Sequence, residues 1–501
     1  MSSKVIVPVE KFMSTKGIDR YVFLDNEDFT IAFYASGSKS VFFSNSHPMC
    51  KGSFQINILN DVGNFSWTIA YKKQVLIKHF AEINHLLGNL LKSDLNNTMS
   101  TQSIINNDYA LSYGFYDCGT RSIESHLTNH DRSYVYLTKN YSEWMKDLAS
   151  EEPKFLERPL NVLVLPGAHD AGMFEIFNPK SILKNKDFLN RLRSHFKDPL
   201  MCKSINFSDI TDYLERIIIN IACTQKDDIN TMLDLGIRYF DFRPGYCYGS
   251  LKSIPEFKDK ILHQHGFVPG YPYYDFLCDI LKWLSEHPSE IVVVNLNFQG
   301  FEESSMKPNA DYLMRLVSDA QLATNTLNIA IGNKTDLCVM IKQLLDENKR
   351  LIFLNQIEAN SNTHKYEACK YDSYNDNYAT TNVNKILTVL NQMRFYPPEG
   401  QDYTVLQLQG TATADVIACS TSILDAIGPF SSDAMSPLMS TKAAFDYSTY
   451  PWIMNNVPEK FSPNTLLVFL NDFVDNALVK HSIDITLKRI DLYKCFNGQT
   501  L

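Results

Sequence analysis

Histidine, arginine and carboxylate side chains follow several apolar segments of this sequence. His169 and Asp170 come after the run NVLV, Asp241 and Arg243 lie in YFDFRPG, and His265 lies in LHQHG. One imidazole could remove a proton and the other could donate one, while a guanidinium neutralises phosphoryl oxygens. These residue types predict acid–base catalysis at a phosphate.

Each of these residues also has a structural interpretation. A lone histidine such as His265 is more often hydrogen-bonded within a fold, and Arg243 could pair with Asp241 alone. Two more polar residues, Asn297 in VVVNLN and Asp472 in VFLNDF, also follow candidate strands. The rim of a barrel has no packing reason to collect uncompensated polar groups, so their combination favours catalysis over structure.

The apolar segments themselves predict the scaffold. Continuous apolar runs of this length suit strands that are covered on both faces, as in a parallel sheet. Between two of them, YDFLCDILKWLSEHP has the apolar spacing of a helix that ends at Pro288. Alternation of strands and helices predicts an α/β fold, a distorted (β/α) barrel of the TIM type. The candidate strands are 161–165, 237–242, 260–263, 291–296, 350–354, 403–408 and 466–470.

The chain divides into two predicted domains. Residues 1–140 contain short aromatic and β-branched segments separated by Gly, Asn, Asp and Ser, which is typical of an all-β sandwich or barrel. We expect residues 141–501 to form the α/β barrel. The N-terminal domain could be a module that docks on a membrane or a partner, although aromatic segments are equally expected in any β-sandwich core.

Composition excludes several classes of function. With 47 Lys and Arg against 56 Asp and Glu, the formal net charge of −9 argues against nucleic acid as a partner. None of the ten cysteines falls in CxxC spacing, so zinc and dithiol motifs are missing from the sequence. The N-terminus lacks a secretory apolar region, and no run approaches the ~20 apolar residues of a spanning helix. We therefore expect a protein of the cytoplasm or of a membrane periphery, with secretion by a non-classical route as the alternative.

Four segments in this order resemble a known family. LPGAHDAGM, DLGIRYFDFRPG, LHQHGFVPGYPYYDFLCDILKWLSEHPSEIVVVNL and LVFLNDF are similar to the X domain of phosphatidylinositol-specific phospholipases C (PI-PLC), most of all to the bacterial type. The resemblance is dense over 161–172 and 234–297 and returns at 466–475. PGxHD, GxRxxDxR and HG are much more specific together than any of them alone.

The resemblance implies a catalytic role for five residues. The family's general base falls on His169 and the carboxylate that partners it on Asp170. The phosphate-binding arginine falls on Arg243, and the general acid on His265. A distant aspartate that orients the base falls on Asp472.

The resemblance also bears on metal and substrate binding. In the calcium-dependent branch of the family the position of Arg243 carries a carboxylate for the metal, so here we expect neither a metal nor another cofactor. Asp241 matches a family carboxylate beside the arginine. The bacterial lysine for the inositol ring is replaced by Asn297, and an arginine after LIFL is replaced by Asn355 or Gln356. We expect Asp241, Asn297 and Gln356 to contact the substrate.

The expected reaction is cleavage of phosphatidylinositol, or of a related phospholipid head group, at a membrane surface. Attack by the inositol 2-hydroxyl would give a cyclic inositol phosphate and diacylglycerol. One alternative is a barrel like those of glycerophosphodiesterases or sphingomyelinase D, which hold a metal with Glu and Asp soon after the first histidine, where this chain has AGMFE. Another is a lipid-binding module that has lost turnover. The sequence leaves open whether the chain binds a protein partner.

Overall fold

The computed structural model describes thirteen stretches of the chain. These are residues 17–35, 40–44, 47–55, 63–83, 90–94, 98–117, 130–194, 211–355, 359–360, 365–366, 368–374, 380–411 and 436–493. None of the helices in these stretches combines the length and the apolar character that crossing a bilayer requires.

The strands are numbered along the chain. Those of the N-terminal domain are β1 Gly17–Asp25, β2 Phe29–Ala35, β3 Val41–Ser44, β4 His47–Gln55, β5 Gly63–Tyr71, β6 Gln74–Ile83, β7 Leu90–Ser93, β8 Ile104–Ile105, β9 Ala110–Tyr116 and β10 Asp131–Thr138. The later strands are β11 Val164–Ala168, β12 Tyr239–Phe242, β13 Pro244–Gly245, β14 Leu262–His265, β15 Val268–Pro272, β16 Val292–Leu296, β17 Ala330–Gly332, β18 Lys349–Asn355, β19 Ala359–Asn360, β20 Lys365–Tyr366, β21 Tyr371–Asp372, β22 Tyr403–Gln407 and β23 Leu467–Asn471.

The α-helices of the described residues all lie beyond the N-terminal domain. They are α1 Trp144–Glu151, α2 Pro179–Ile182, α3 Lys186–Ser194, α4 Thr211–Ala222, α5 Ile229–Leu235, α6 Tyr273–Glu286, α7 Ala310–Ala323, α8 Ile341–Asp346, α9 Val383–Gln392, α10 Pro437–Lys460 and α11 Asn476–Leu492. In α6 the predicted stripe, including Phe276, Ile280 and Leu284, is fully buried.

The N-terminal domain is a sandwich of two five-stranded sheets. Their strand orders are β4-β1-β10-β9-β8 and β3-β2-β5-β6-β7. Alternate residues of β2 are buried, as expected for a strand with one covered face. Large aromatic side chains such as Phe33, Phe65 and Trp67 fill the space between the sheets. The prediction of a smaller all-β domain before the barrel is confirmed.

Eight parallel strands form the scaffold of the second domain. Their order is β17-β18-β16-β12-β11-β23-β22-β21, and every neighbouring pair is parallel. The first strand, β11, pairs with both β12 and the last strand, β23, as in a (β/α) barrel. No pairing joins β17 to β21 in the part of the chain that the structure describes, so the barrel is distorted. The predicted α/β barrel is confirmed.

One predicted barrel strand is wrong. Residues 260–263 do not join the parallel sheet, because β14 lies in a small antiparallel sheet with β13 and β15. Gly266, with φ +62°, allows the tight turn that leads from β14 into β15. The resulting hairpin carries both His263 and His265 over the end of the barrel. The short strands β17 and β21 were not predicted.

The sandwich and the barrel share buried apolar surface. Along β1 and β10 alternate residues, such as Val22 and Val135, face the interior of the sandwich. The residues between them, such as Phe23 and Tyr136, pack in the same cluster as the barrel core. The sheet β4-β1-β10-β9-β8 is therefore covered on both faces. The predicted boundary at residue 140 lies between the end of β10 and the start of α1.

Candidate active site

His169 is held at the end of the first barrel strand. Its backbone N–H donates to the Asn471 carbonyl oxygen over 3.1 Å, which extends the pairing of β11 with β23 by one residue. This register places the ring beside Asp472, whose Oδ1 lies 2.8 Å from His169 Nδ1. Because Nδ1–H donates to that carboxylate, Nε2 is the nitrogen that faces the site.

Arg243, which follows β12, lies at the centre of the site. Its Nε is 2.8 Å from Asp170 Oδ1, and its Nη2 is 3.3 Å from Asp241 Oδ2. The same Nη2 lies 3.0 Å from His169 Nε2. Since two carboxylates hold the guanidinium and its side chain is 9% exposed, its orientation is fixed before any substrate binds.

Asp170 lies between the rings of His169 and His265. The residue has φ +43°, a left-handed conformation that turns its carboxylate back over the barrel end. Oδ2 lies 3.4 Å from His169 Nε2 and 3.8 Å from His265 Nε2. Burial opposes ionisation, but Arg243 and then the two histidines hold the pKa of this carboxyl well below its usual range. Asp170 therefore stays ionised between the two imidazoles.

His265 faces His169 across this carboxylate. Its Nδ1–H donates to the Ala222 carbonyl oxygen over 2.9 Å, which leaves Nε2 directed at the site. The side chain is 29% exposed, against 13% for His169. A group that bound between the two rings would therefore meet His265 on the more solvent-accessible side.

The charges around His169 raise its pKa to about 9. Burial lowers the pKa, but the carboxylates of Asp170 and Asp472, with the hydrogen bond to Asp472, outweigh both burial and the charge of Arg243. Both protonation states of Nε2 have a partner. Protonated Nε2 can donate to Asp170, and neutral Nε2 can accept from Arg243.

Asp241 contacts Arg243 on one side and binds the side chain of Asn297 on the other. Asp241 Oδ1 accepts from Asn295 Nδ2 over 2.9 Å and from Asn297 Nδ2 over 2.6 Å. The Oδ1 of Asn297 accepts from the Gln299 backbone N–H over 2.8 Å, so both ends of this buried amide are bonded within the protein. Asn355 is buried at the end of β18. Gln356 lies outside the described residues.

Three residues of the site were not predicted from the sequence. His263 is fully buried, accepts from the Arg243 backbone N–H at Nδ1, and donates to Asp170 Oδ1 at Nε2 over 3.1 Å. The alternation of two histidines in LHQHG is the signal that places both on one face of a strand. Thr224 and Gln225 bind backbone carbonyl oxygens, and such contacts leave no motif in the sequence.

The site also contains possible metal ligands. Donor atoms of His169, Asp170 and Asp241 lie within 4.8 Å of one another. Arg243 contacts all three of these side chains. A cation bound there would have to displace the guanidinium from its two carboxylates and would lie beside its positive charge.

Fold and site together define a (β/α)-barrel protein with two histidines, an arginine and carboxylates at the carboxyl-terminal end of its strands. No family model matches the sequence. The chain is 30% identical over 173 residues to PI-PLC X domain-containing protein 1 of Homo sapiens, which covers 34% of this chain and 46% of that protein. PI-PLC X domain-containing protein 2 of Homo sapiens is 26% identical over 168 residues, covering 33% of this chain and 47% of that protein. These matches confirm the resemblance to the PI-PLC X-domain family.

Two further comparisons complete this finding. The Danio rerio PI-PLC X domain-containing protein 1 is 23% identical over 175 residues, which are 35% of this chain and 50% of that protein. The chain therefore spans about half the length of the curated relatives it matches. Among solved structures, phosphatidylinositol-specific phospholipase C from Listeria monocytogenes superposes with a TM-score of 0.40 at 15% identity, covering 69% of this chain and 98% of that chain.

Proposed function

We propose that this protein is a metal-independent phosphodiesterase that cleaves phosphatidylinositol, or a related phospholipid head group, at a membrane surface. The observation that carries the proposal is the position of Arg243, which contacts His169 and lies between two carboxylates. The relatives named as PI-PLC X domain-containing proteins support the choice of an inositol lipid as substrate.

The first step assigns His169 as general base. Neutral Nε2 takes the proton of the inositol 2-hydroxyl, and that oxygen forms a bond to phosphorus. The neutral ring is a strong base because its pKa is raised to about 9, so turnover should rise with pH towards 9 as this form becomes populated. Asp472 holds Nε2 towards the substrate. Asp472 also stabilises the imidazolium that forms, as a carboxylate does in a Ser-His-Asp triad.

His265 completes the exchange as general acid. Its Nε2–H gives a proton to the departing diacylglycerol oxygen as the bond from that oxygen to phosphorus breaks. The products are inositol 1,2-cyclic phosphate and diacylglycerol, with one proton moved to His169 and one taken from His265. The Ala222 carbonyl oxygen accepts from Nδ1–H, which keeps Nε2 towards the leaving group.

Arg243 neutralises the charge that develops on the phosphoryl oxygens. A guanidinium that is already oriented stabilises this charge without reorganising during the reaction. Asp170 assists by holding Arg243 Nε, and Asp241 with Asn297 supports the guanidinium from below. We propose that Asp241 and Asn297 act on the substrate through Arg243.

Metal independence follows from the same arrangement. A Ca²⁺ ion needs ~6–8 oxygen ligands, whereas the carboxylates of Asp170 and Asp241 already pair with Arg243. The guanidinium supplies the positive charge that the ion would otherwise provide. A metal-dependent barrel of the glycerophosphodiesterase or sphingomyelinase D kind would need that pairing to break.

The proposal is tested by turnover on a panel of vesicles and soluble diesters with and without EDTA. We expect hydrolysis of phosphatidylinositol in EDTA, and loss of ~10²–10⁴ in turnover for His169→Ala. His130→Ala is the matched control, because His130 Nδ1 also binds a carboxylate, Asp19 Oδ1, over 3.1 Å but lies in the sandwich. Turnover that EDTA abolishes would favour the metal-dependent barrel, and no turnover of any lipid would favour the binding module.

A further inference from the structure

Residues 222–227, with the sequence ACTQKD, begin at the last residue of helix α4 and contact both histidines of the site. We call this segment the strap. Besides the Ala222 carbonyl oxygen that accepts from His265, the hydroxyl of Thr224 lies 3.2 Å from the His169 carbonyl oxygen and 3.1 Å from that of Asp170. One six-residue segment therefore contacts the backbone of His169 and Asp170 and the ring of His265.

Gln225 binds the strap to both neighbouring strand ends. Its Nε2 donates to the carbonyl oxygens of His169, over 2.8 Å, and Asn471, over 3.1 Å. Its Oε1 accepts from the Val474 backbone N–H over 3.0 Å, so this fully buried amide uses both ends. The Phe473 N–H also donates to the strap, at the Thr224 carbonyl oxygen over 2.7 Å. The loops after β11 and β23 are thus fixed to the strap by backbone groups.

The next two residues of the strap bind the N-terminal sandwich. Lys226 Nζ donates to the Thr101 carbonyl oxygen over 2.7 Å and lies 3.0 Å from Ser103 Oγ. Asp227 accepts from the Ser103 backbone N–H over 2.8 Å and from the Ser103 hydroxyl over 2.7 Å. Lys226 and Asp227 also pair with each other over 3.0 Å, and both side chains are buried.

A second buried path reaches the site from strand β10 of the sandwich. The Tyr136 hydroxyl donates to Asp446 Oδ2 over 3.1 Å, and Asn471 Nδ2 donates to Asp446 Oδ1 over 3.0 Å. Asn471 Oδ1 then accepts from the backbone N–H of Asp472 over 3.0 Å. Asp472 is the carboxylate that orients His169.

We infer that the N-terminal sandwich is a permanent support of the active site, and that Lys226 and Asp227 are the positioning residues that connect the two. A buried ion pair contributes little net stability, because its attraction is offset by desolvation. Its value here is geometric: it fixes the strap, whose other residues set the directions of His169 and His265. The catalytic role of the two histidines rests on the proposed function. The connection of the strap to the sandwich through Lys226 and Asp227 does not depend on it.

A cavity lies beside the bonds that connect the strap to the sandwich. It has a volume of about 680 Å³ and is lined by Met99 and Ile104 of the sandwich and by Phe174 and Glu175 of the loop after His169. The two domains also pack against each other nearby, where Met99 lies in one apolar cluster with Phe473. Removing the bonds of Lys226 should therefore release the strap locally from the sandwich without separating the two domains.

The experiment uses the full chain and three variants. Ser103→Ala removes a hydroxyl of the sandwich and leaves the Lys226–Asp227 pair in place, while Lys226→Met removes the pair. Tyr141→Phe is the control, because the Tyr141 hydroxyl bonds Asp25 of β1 over 2.9 Å and touches neither the strap nor the site. Hydrogen exchange is followed by mass spectrometry in peptides covering 166–174 and 470–475, beside kcat and KM on soluble substrate.

Both test variants should speed hydrogen exchange in these peptides several-fold. The control Tyr141→Phe should exchange at the wild-type rate. In Lys226→Met, kcat should fall roughly tenfold or more with KM nearly unchanged, since small displacements of catalytic groups are costly. Unchanged exchange in the test variants, or equal acceleration in the control, would overturn the inference. If Lys226→Met does not fold, Ser103→Ala decides. If the wild-type protein turns over no lipid, the proposed function fails while the exchange data still decide the inference.

Discussion

Replacing Asp472 by Asn isolates the electrostatic contribution of one carboxylate to the base. The substitution keeps the size of the side chain and removes the negative charge whose Oδ1 lies 2.8 Å from His169 Nδ1. Asp170, the other carboxylate near the ring, is untouched. We expect the pKa of His169 to fall from about 9 towards its ordinary value of 6.5.

The size of this fall can be bounded. Two unit charges about 4 Å apart interact by about 4 kcal/mol at an effective dielectric constant near 20. One pKa unit corresponds to about 1.36 kcal/mol, so complete loss of the interaction would lower the pKa by roughly three units. The amide still accepts a hydrogen bond, and we therefore expect a decrease of about one to three units. Turnover should fall by ~10²–10⁴ because the imidazolium and its orientation lose their support.

The same pKa predicts how stability depends on pH. The folded pKa of His169 is raised above the unfolded value, so its contribution is complete below about pH 6.5 and is lost as pH rises through about 9. A gap of about 2.5 pKa units limits this contribution to about 3 kcal/mol. In Asp472→Asn the loss of unfolding free energy between pH 6 and pH 9.5 should shrink accordingly.

Two measurements check this prediction. Proton NMR of the imidazole Cε1–H gives the titration midpoint of His169 directly, with His169→Ala used for assignment. Urea unfolding at pH 6 and pH 9.5 gives the stability difference in wild type and variant. A midpoint within 0.3 of wild type, which is about 0.4 kcal/mol, would refute the assignment of Asp472 as the group that raises the pKa.

Other substitutions follow from the remaining contacts. His265→Ala should lower turnover by ~10²–10⁴ with little change in melting temperature, measured by calorimetry. His263→Ala should lower both turnover and stability, because it strips a hydrogen bond from the buried Asp170 carboxylate, whereas equal stability would show that the bond is dispensable. Arg243→Lys should lower turnover by ~10² or more, since an ammonium cannot contact Asp170, Asp241 and His169 together. Turnover of the wild-type protein should be unchanged in EDTA. A chain that starts at Ser142 should fail to give a cooperative melt, because Phe23 and Tyr136 belong to the shared core.

Much of the scaffold could be predicted from local patterns. Long apolar runs such as IVVVNL are buried on both faces of a parallel sheet, and the stripe through Phe276 and Leu284 forms the buried side of a helix. Polar residues directly after such runs meet at the end of the barrel, and this is why His169 and Arg243 lie in contact. These relations depend on short stretches of sequence and on one rule of barrel geometry.

The contacts that could not be predicted join distant segments. The side chains of the strap reach the hydroxyl of Ser103 and the backbone carbonyl oxygen of His169, and no spacing in the sequence marks such bonds. The strand at 260–263 was assigned to the barrel because a segment as short as KILH does not reveal its pairing partners. The bonds of Asn295 and Asn297 to the Asp241 carboxylate were likewise not predicted, and the contact of Asn297 with substrate stays a prediction.

In the proposed reaction the substrate's own hydroxyl attacks phosphorus without a metal or water. A phosphorus NMR time course on phosphatidylinositol in EDTA distinguishes this attack from hydrolysis by water. Intramolecular attack has a very high effective concentration, so inositol 1,2-cyclic phosphate should appear first and the acyclic monophosphate later, when water takes the leaving group's place. Acyclic product from time zero, with no cyclic species at any point, would contradict the claim.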